Sequence, residues 1–243
     1  GVRRLWPDGT AKLSRAGLPI DTYDQPVIVG FAHVFTGWDN HRTNAATTFG
    51  GSTDYTRPMS LVQARHDTNT AKRLLDNVVL PPGRFGTNDL ADVLDQVFEH
   101  PNTGPFICRQ LIQRLVTGNP SPGYLYRVAR TFDDNGAGVR GDLKAVVTAI
   151  LTDPEARDRG LAMTKYTHGH LREPVLRVTA LYRAFGFISN QTNFNMGTIS
   201  DLNQTPLRAP TVFNYYEPEF AFPGAITAAR RGPAESTASM RDR

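Results

Sequence analysis

Apolar residues recur at helical spacing through one continuous stretch, Thr87 to Leu151, and sharp Pro and Gly turns cut that stretch into four segments. Thr87 or Asn88 can cap the first, whose Leu90, Val93, Leu94, Val97 and Phe98 share one face until His100-Pro101-Asn102 stops it. Pro105 suits the first turn of the second, in which Ile107, Cys108, Leu111, Ile112 and Leu115 oppose Arg109, Gln110, Gln113 and Arg114. Ser121-Pro122 reads as cap and first turn of the third, carrying Leu125, Val128, Ala129 and Phe132. Asp142 caps the fourth, where Leu143, Val146, Val147 and Ile150 recur until Asp153-Pro154. Each stripe needs a neighbour to cover it, and turns this short favour antiparallel neighbours.

Outside that stretch the periods change. Val2 to Leu13 reads as a hairpin turning at Pro7-Asp8-Gly9. Asp21 to Gln25 can cap a helix that enters at Pro26, carries Val27, Ile28, Phe31, Val34 and Phe35, and stops at Gly37. Asp39 to Thr53 reads as loop. Met59 to Val62 and Val78 to Leu80 are short apolar runs of strand character. Arg157 to His170 is polar and Gly-bearing, an expected exposed connection, and Pro174 opens a further helix that ends at Gly186. Pro206 to Pro223 reads as an extended aromatic strap.

These elements predict a mainly α fold: a compact multi-helix bundle with small β-hairpin and strand elements near the N-terminus and a long irregular aromatic C-terminal segment. The expected organisation is 1–86 as a hairpin, helix and loop region packed on the bundle, 87–188 as the helical core, 189–229 as an irregular strap and 230–243 as a disordered tail.

Charge narrows the partners. The chain of 243 residues carries a formal +4, of which Arg230, Arg231, Arg241 and Arg243 against Glu235 and Asp242 place +2 at the C-terminal end. The remaining body is nearly neutral, which argues against nucleic acid or a membrane surface as partner. Cys108 is the only cysteine, so no intrachain disulfide forms, and its apolar helix face predicts a buried small side chain rather than a nucleophile. No run of 18 apolar residues predicts a transmembrane segment, and no signal peptide opens the chain.

Several residues invite a chemical reading. His66, Asp67 and Lys72 form the best polar cluster: a His beside a carboxylate suits a general base or metal ligand, and Lys72 an anion. The plainer reading is a loop in which Asp67 caps a turn. His33 and His41 are candidate metal ligands beside His66, although their spacing fits no metal motif and a locally satisfied helix-face histidine explains them better. Asp133-Asp134-Asn135-Gly136 with Asp142 invites a calcium-loop test, but Thr131 and Val139 would then occupy the first and ninth positions, and they supply a poor oxygen donor and no side-chain donor. A Gly-rich turn ending in an Asp cap fits better.

Arg109, Arg114, Arg127, Arg130 and Arg140 form a candidate phosphate-binding stripe, or else the solvated side of two helices with ion pairs to Asp133, Asp134 or Glu99. Trp38 with Phe213, Tyr215 and Tyr216 offers an aromatic wall for a ligand, or simply core packing. No nucleophile elbow, phosphate loop or paired-cysteine metal site is present in the sequence.

An ordered series of motifs adds a family. Tyr23-Asp24-Gln25, Phe35-Thr36-Gly37-Trp38, His66-Asp67 with Lys72, and His100-Pro101-Asn102-Thr103-Gly104-Pro105-Phe106 begin it. Arg109 to Leu115, Asn119-Pro120-Ser121-Pro122, Asn135 to Leu143, Leu171-Arg172-Glu173-Pro174 and Val212-Phe213-Asn214 continue it. In this series the chain resembles the bacterial family called domain of unknown function 1800, over residues 1 to 228. The resemblance implies a mostly helical bacterial protein, usually longer, often exported or periplasmic, and frequently encoded beside alkaline-phosphatase-like proteins. It implies no activity and no cofactor. The family's N-terminal helical half is missing from this chain and is itself an expected partner, as is an alkaline-phosphatase-like neighbour; beyond Ala229 the sequence is expected to depart from the family.

Two functions follow as expectations. The first is a non-catalytic accessory or binding protein of the cell envelope, because no catalytic constellation assembles in the sequence. Its rival is a metal-assisted hydrolase-type enzyme with a His/Asp site around His66-Asp67, joined by His33 or His41. A third idea, nucleic-acid binding through the arginine stripe, has the near-neutral body against it.

Overall fold

A computed structural model describes residues 2–41, 53–164, 168–170, 172–188 and 217–218. It is mainly helical, with two small antiparallel strand pairs in the N-terminal part. The chain divides into two compact units, Gly1–Phe106 and Ile107–Arg243. The expected strap and tail lie outside the described residues, apart from Glu217 and Pro218.

The first unit opens with the expected hairpin, and a third limb completes it. Bridges join Leu5 to Ala11, Leu13 to Pro19 and Arg3 to Asp21, so the pairing advances by eight residues and then closes on itself. The hydrogen bonds cycle likewise: Arg4 N–H donates to Ile20 O at 2.7 Å, Lys12 N–H to Arg4 O at 2.7 Å, and Ile20 N–H to Lys12 O at 3.0 Å. Gly9 and Gly17 turn the two hairpins at φ of 78° and 75°, backbone that side-chain-bearing residues rarely adopt. Asn102 ties this element down by accepting the Leu5 N–H and donating to Arg3 O and the Thr22 hydroxyl.

Helix α1 (Gln25–Val34) starts as its sequence predicts. The Asp24 carboxylate accepts the Val27 N–H at 3.2 Å, and Pro26 occupies the first turn. Strands β1 (Trp38–Asp39) and β2 (Ser60–Leu61) pair antiparallel, as do β3 (Lys72–Arg73) and β4 (Val79–Leu80). Val34, Leu74, Leu80 and Val93 form the apolar core of this unit.

Helix α2 (Gly86–Glu99) departs from its expected orientation. Its buried positions are Gly86, Asp89 and Val93, whereas Leu94, Val97 and Phe98 of the apolar stripe remain 58%, 40% and 41% exposed. The physical reason is Asp89: its charged partners draw one face of α2 inward and turn most of the apolar stripe outward.

The second unit follows the apolar pattern closely. Its core joins Cys108 and Ile112 of α3 (Thr103–Leu115) to Tyr124, Leu125, Val128 and Phe132 of α4 (Pro122–Asp133), and to Val146 and Ile150 of α5 (Leu143–Thr152). Ser121 caps α4 by accepting the Tyr124 N–H, and Asp142 caps α5 by accepting the N–H groups of Lys144 and Ala145. The buried Tyr124 hydroxyl donates to Ile150 O at 2.7 Å, which satisfies the one polar atom that ring carries.

Two short helices, α6 (Pro154–Arg157) and α7 (Arg159–Thr164), occupy part of the expected polar connection. Asp153, read only as a terminator, caps α6 by accepting the Glu155 N–H. The predicted final helix is α8 (Pro174–Ala184), with Gly186 at φ 59° just beyond it.

Candidate functional site

The polar cluster lies in the first unit and centres on Asp89, a residue that carries no motif. Gly37, at φ 81°, brings the chain after α1 so close to the next loop that a Cβ there would lie 2.9 Å from the His66 backbone nitrogen. A short helical turn, Gln63–Arg65, then delivers His66 inward. Strand alternation points Lys72 into the interior and leaves its neighbour Arg73 half-buried. Asp89 stands in the first turn of α2, where the helix dipole favours a carboxylate.

Two cations and an imidazole meet that carboxylate. Lys72 Nζ is 2.8 Å from Asp89 Oδ2, His66 Nε2 is 3.1 Å from the same oxygen, and Arg84 Nε donates to Oδ1 at 2.6 Å. The side chains of His66, Lys72 and Asp89 are 0% exposed, while Arg84 reaches outward to pair with Asp92. Burial alone would raise the Asp89 carboxyl, but hydrogen bonds from Lys72, Arg84 and His66 outweigh it and hold the group below its usual value. On its other side His66 Nδ1 lies 3.0 Å from Thr36 O. Both ring nitrogens are therefore engaged inside the protein, and His66 offers neither to a substrate.

Asp67 turns the other way. Its Oδ1 accepts the N–H groups of Asn69 and Thr70, and its Oδ2 meets both His33 Nδ1 and the Thr70 hydroxyl. The Thr70 hydroxyl bond, with further help from His33 and the two backbone groups, outweighs burial and holds the Asp67 carboxyl well below the usual carboxylate range. The side chains of His33 and Asp67 are 35% and 17% exposed, so this pair is open to water. Thr36 joins the two histidines: its hydroxyl donates to His33 O at 2.6 Å and accepts the Asp67 N–H at 2.8 Å.

The sequence cluster thus divides. His66 and Lys72 converge on Asp89, whereas Asp67 binds His33. His41 is half-buried with Nδ1 2.9 Å from the Ser60 hydroxyl. Among the described residues, no three His, Cys, Asp or Glu side chains are grouped to hold a metal ion. Trp38 is half-buried on β1, and its indole Nε1 has no hydrogen-bond partner among the described residues. Phe213, Tyr215 and Tyr216 lie outside those residues.

The arginines lie in the second unit. Arg127 pairs bidentately with Asp153 at 2.7 and 2.8 Å, and Arg140 pairs with Asp133 and covers the Phe132 ring at 5.0 Å. Arg109 is half-buried, and Arg114 and Arg130 are exposed. In the Gly-rich loop, Asp134 Oδ1 accepts the N–H groups of Gly136 and Gly138, and Asn135 donates to Asp142 at 2.8 Å. These carboxylates serve the local backbone and the α5 cap. Cys108 is fully buried, and burial pushes its thiol up to about 12.

Sequence reasoning missed Asp89, Arg84, Thr36 and Thr70. An acid in the first turn of a helix is the commonest of patterns and signals nothing by itself. One available sign was an apolar stripe on α2 interrupted at Asp89 on the side that faces inward.

No helix among the described residues is long and apolar enough to cross a membrane. Comparison with curated proteins and with solved structures gives no match. The model of one family does match, over residues 14–236, so the likeness continues past Ala229, where the motifs had suggested that it ends. By that match over most of its length, the chain belongs to the family described as protein of unknown function, DUF1800.

Proposed function

We propose that the protein is a non-catalytic accessory or binding protein of the bacterial cell envelope. The observation that supports this reading is the fate of His66. The histidine best placed by sequence to act as a base is wholly buried, with both ring nitrogens engaged by Thr36 and Asp89. A general base needs an accessible nitrogen within reach of a substrate proton. The cluster around Asp89 instead joins β3, the loop after β2 and α2 into one body. The family resemblance supplies the envelope location and, as partner class, an alkaline-phosphatase-like protein.

The enzymatic alternative keeps one supporting observation. His33 is partly exposed and its Nδ1 is held by Asp67, an arrangement that orients an imidazole. A hydrolytic reaction in this unit would therefore run through His33 and Asp67 rather than His66.

Fractionating cells that express the tagged protein, and assaying the purified chain on chromogenic ester and phosphoester substrates, tests both readings. The proposal expects the protein in the envelope fraction, and turnover that is the same for parent, His33→Ala and buffer. A cytosolic location contradicts the envelope reading. Turnover abolished by His33→Ala establishes the enzyme instead.

A further inference from the structure

Asparagine is a thermolabile residue, most of all before glycine, and Asn135-Gly136 is such a pair in the turn between α4 and α5. With no side chain on the glycine to hinder it, the Gly136 backbone nitrogen can approach the Asn135 side-chain carbonyl carbon closely. A bond from that nitrogen to Cγ closes a succinimide as the Cγ–Nδ2 bond breaks, and the amide leaves as ammonia with the proton of the Gly136 N–H. Water then opens the ring to aspartate or isoaspartate. In this turn every group that the reaction needs is already engaged.

The Gly136 N–H donates to Asp134 Oδ1 at 2.8 Å. Asp134 is a poor base for that proton, because the N–H groups of Gly138 and Gly136 hold its carboxyl below the usual carboxylate range. Asn135 Oδ1 accepts the N–H groups of Ala137 and Val139 at 2.9 and 3.3 Å, and Nδ2 donates to Asp142 Oδ2 at 2.8 Å. The Asn135 N–H fixes the backbone by donating to Val139 O at 3.1 Å. Attack on Cγ must swing the side-chain amide away from Ala137, Val139 and Asp142, so each of these bonds opposes ring closure.

From this geometry we propose that Asn135 is a guarded deamidation site, stable while the turn between α4 and α5 is closed and converted once the turn opens. The change runs one way. Aspartate at this position still accepts from Ala137 and Val139, but it has no hydrogen to donate to Asp142 and sets a carboxylate against a carboxylate. Asn135 is first among the groups that hold the Asp142 carboxyl below its usual value, and Asp142 in turn accepts the N–H groups of Lys144 and Ala145 at the start of α5. Isoaspartate adds a carbon to the main chain within the span that the Gly141 N–H closes on Phe132 O at 2.8 Å. A turn that has opened and reacted does not close as before, so the residue records the opening.

Incubating the folded chain at mildly alkaline pH, beside a synthetic peptide of residues 131–140 in the same buffer, tests the guard. Trypsin cuts after Arg130 and Arg140 and releases the same peptide from the chain, with Asn135 as its single asparagine. Breaking three hydrogen bonds of ordinary net worth predicts conversion about a hundredfold slower in the folded chain than in the peptide, read by mass spectrometry as replacement of the side-chain NH2 by OH. Equal rates in the two overturn the proposal. Asp142→Ala, which removes one holding group, should convert faster than the parent, and a folded Asp142→Ala that converts as slowly contradicts the guard. Should that variant not fold, the comparison of parent with peptide decides. Asn135→Asp, the product made directly, should lower the urea midpoint; an unchanged midpoint contradicts the one-way step.

Discussion

Gly30 of α1 lies so close to Arg73 of β3 that a Cβ on the glycine would sit 1.9 Å from the Arg73 carbonyl oxygen. That distance is far inside van der Waals contact, and the obstructing atom is backbone, which has no rotamer to move. Gly30→Ala should therefore cost about 3 kcal/mol or more, the upper end of overpacking. Gly17→Ala is the control, because only its φ of +75° opposes a side chain and nothing lies within 4 Å; it should cost about 1 kcal/mol. Urea unfolding of both variants checks the order.

Asp67 gives stability that acid removes. Its carboxyl lies below the unfolded value of 3.8, chiefly through the Thr70 hydroxyl, so the folded chain binds this proton less readily than the unfolded chain. That contribution is complete above the unfolded value and is lost progressively as pH falls below it. Thr70→Val should lower the urea midpoint at about pH 6, and the gap to the parent should narrow toward about pH 3. A gap that is constant with pH would assign the loss to packing alone.

Asp142 does more than cap α5. One oxygen accepts the N–H groups of Lys144 and Ala145 at 3.0 and 3.1 Å, while the other accepts Asn135 at 2.8 Å and so fastens the Gly-rich loop. Asp142→Ala should lower the urea midpoint, and Asp142→Asn should lower it less, since its amide oxygen still accepts. Chemical denaturation separates the two.

Cys108 should be silent in the folded chain. Its thiol is fully buried and pushed up to about 12, so almost no thiolate exists near neutrality. Iodoacetamide at about pH 8 is expected to leave it unmodified until urea unfolds the second unit, with labelling read by mass spectrometry. Rapid labelling of native protein would show that this core opens.

Much of the second unit was legible because local signals agreed with the packing. Ser121-Pro122 and Asp142 cap where capping chemistry predicts, and Leu125, Val128, Phe132, Val146 and Ile150 all enter the core. The first unit was legible in part. Its hairpin at Gly9 follows from turn chemistry, but closure by the third limb joins Arg3 to Asp21 across a separation no local rule reports. Helix α2 misled because a hydrophobic period records which residues are apolar, not which face a buried ion pair will claim. The site divided for a similar reason: His66 and Asp67 are neighbours in sequence, and adjacent side chains in extended chain point apart. Lys72 was singled out without its partner, because Asp89 lies seventeen positions later on a different element.

The central claim is that the cluster around Asp89 is internal architecture. Equilibrium urea unfolding of Asp89→Ala beside His33→Ala tests it most directly. Removing Asp89 leaves the buried Lys72 ammonium without its counter-charge and His66 Nε2 without its partner, so the account predicts a loss of about 3 to 5 kcal/mol, or failure to fold. It predicts a change within about 1 kcal/mol for the partly exposed His33. Asp89→Ala as stable as the parent would contradict it.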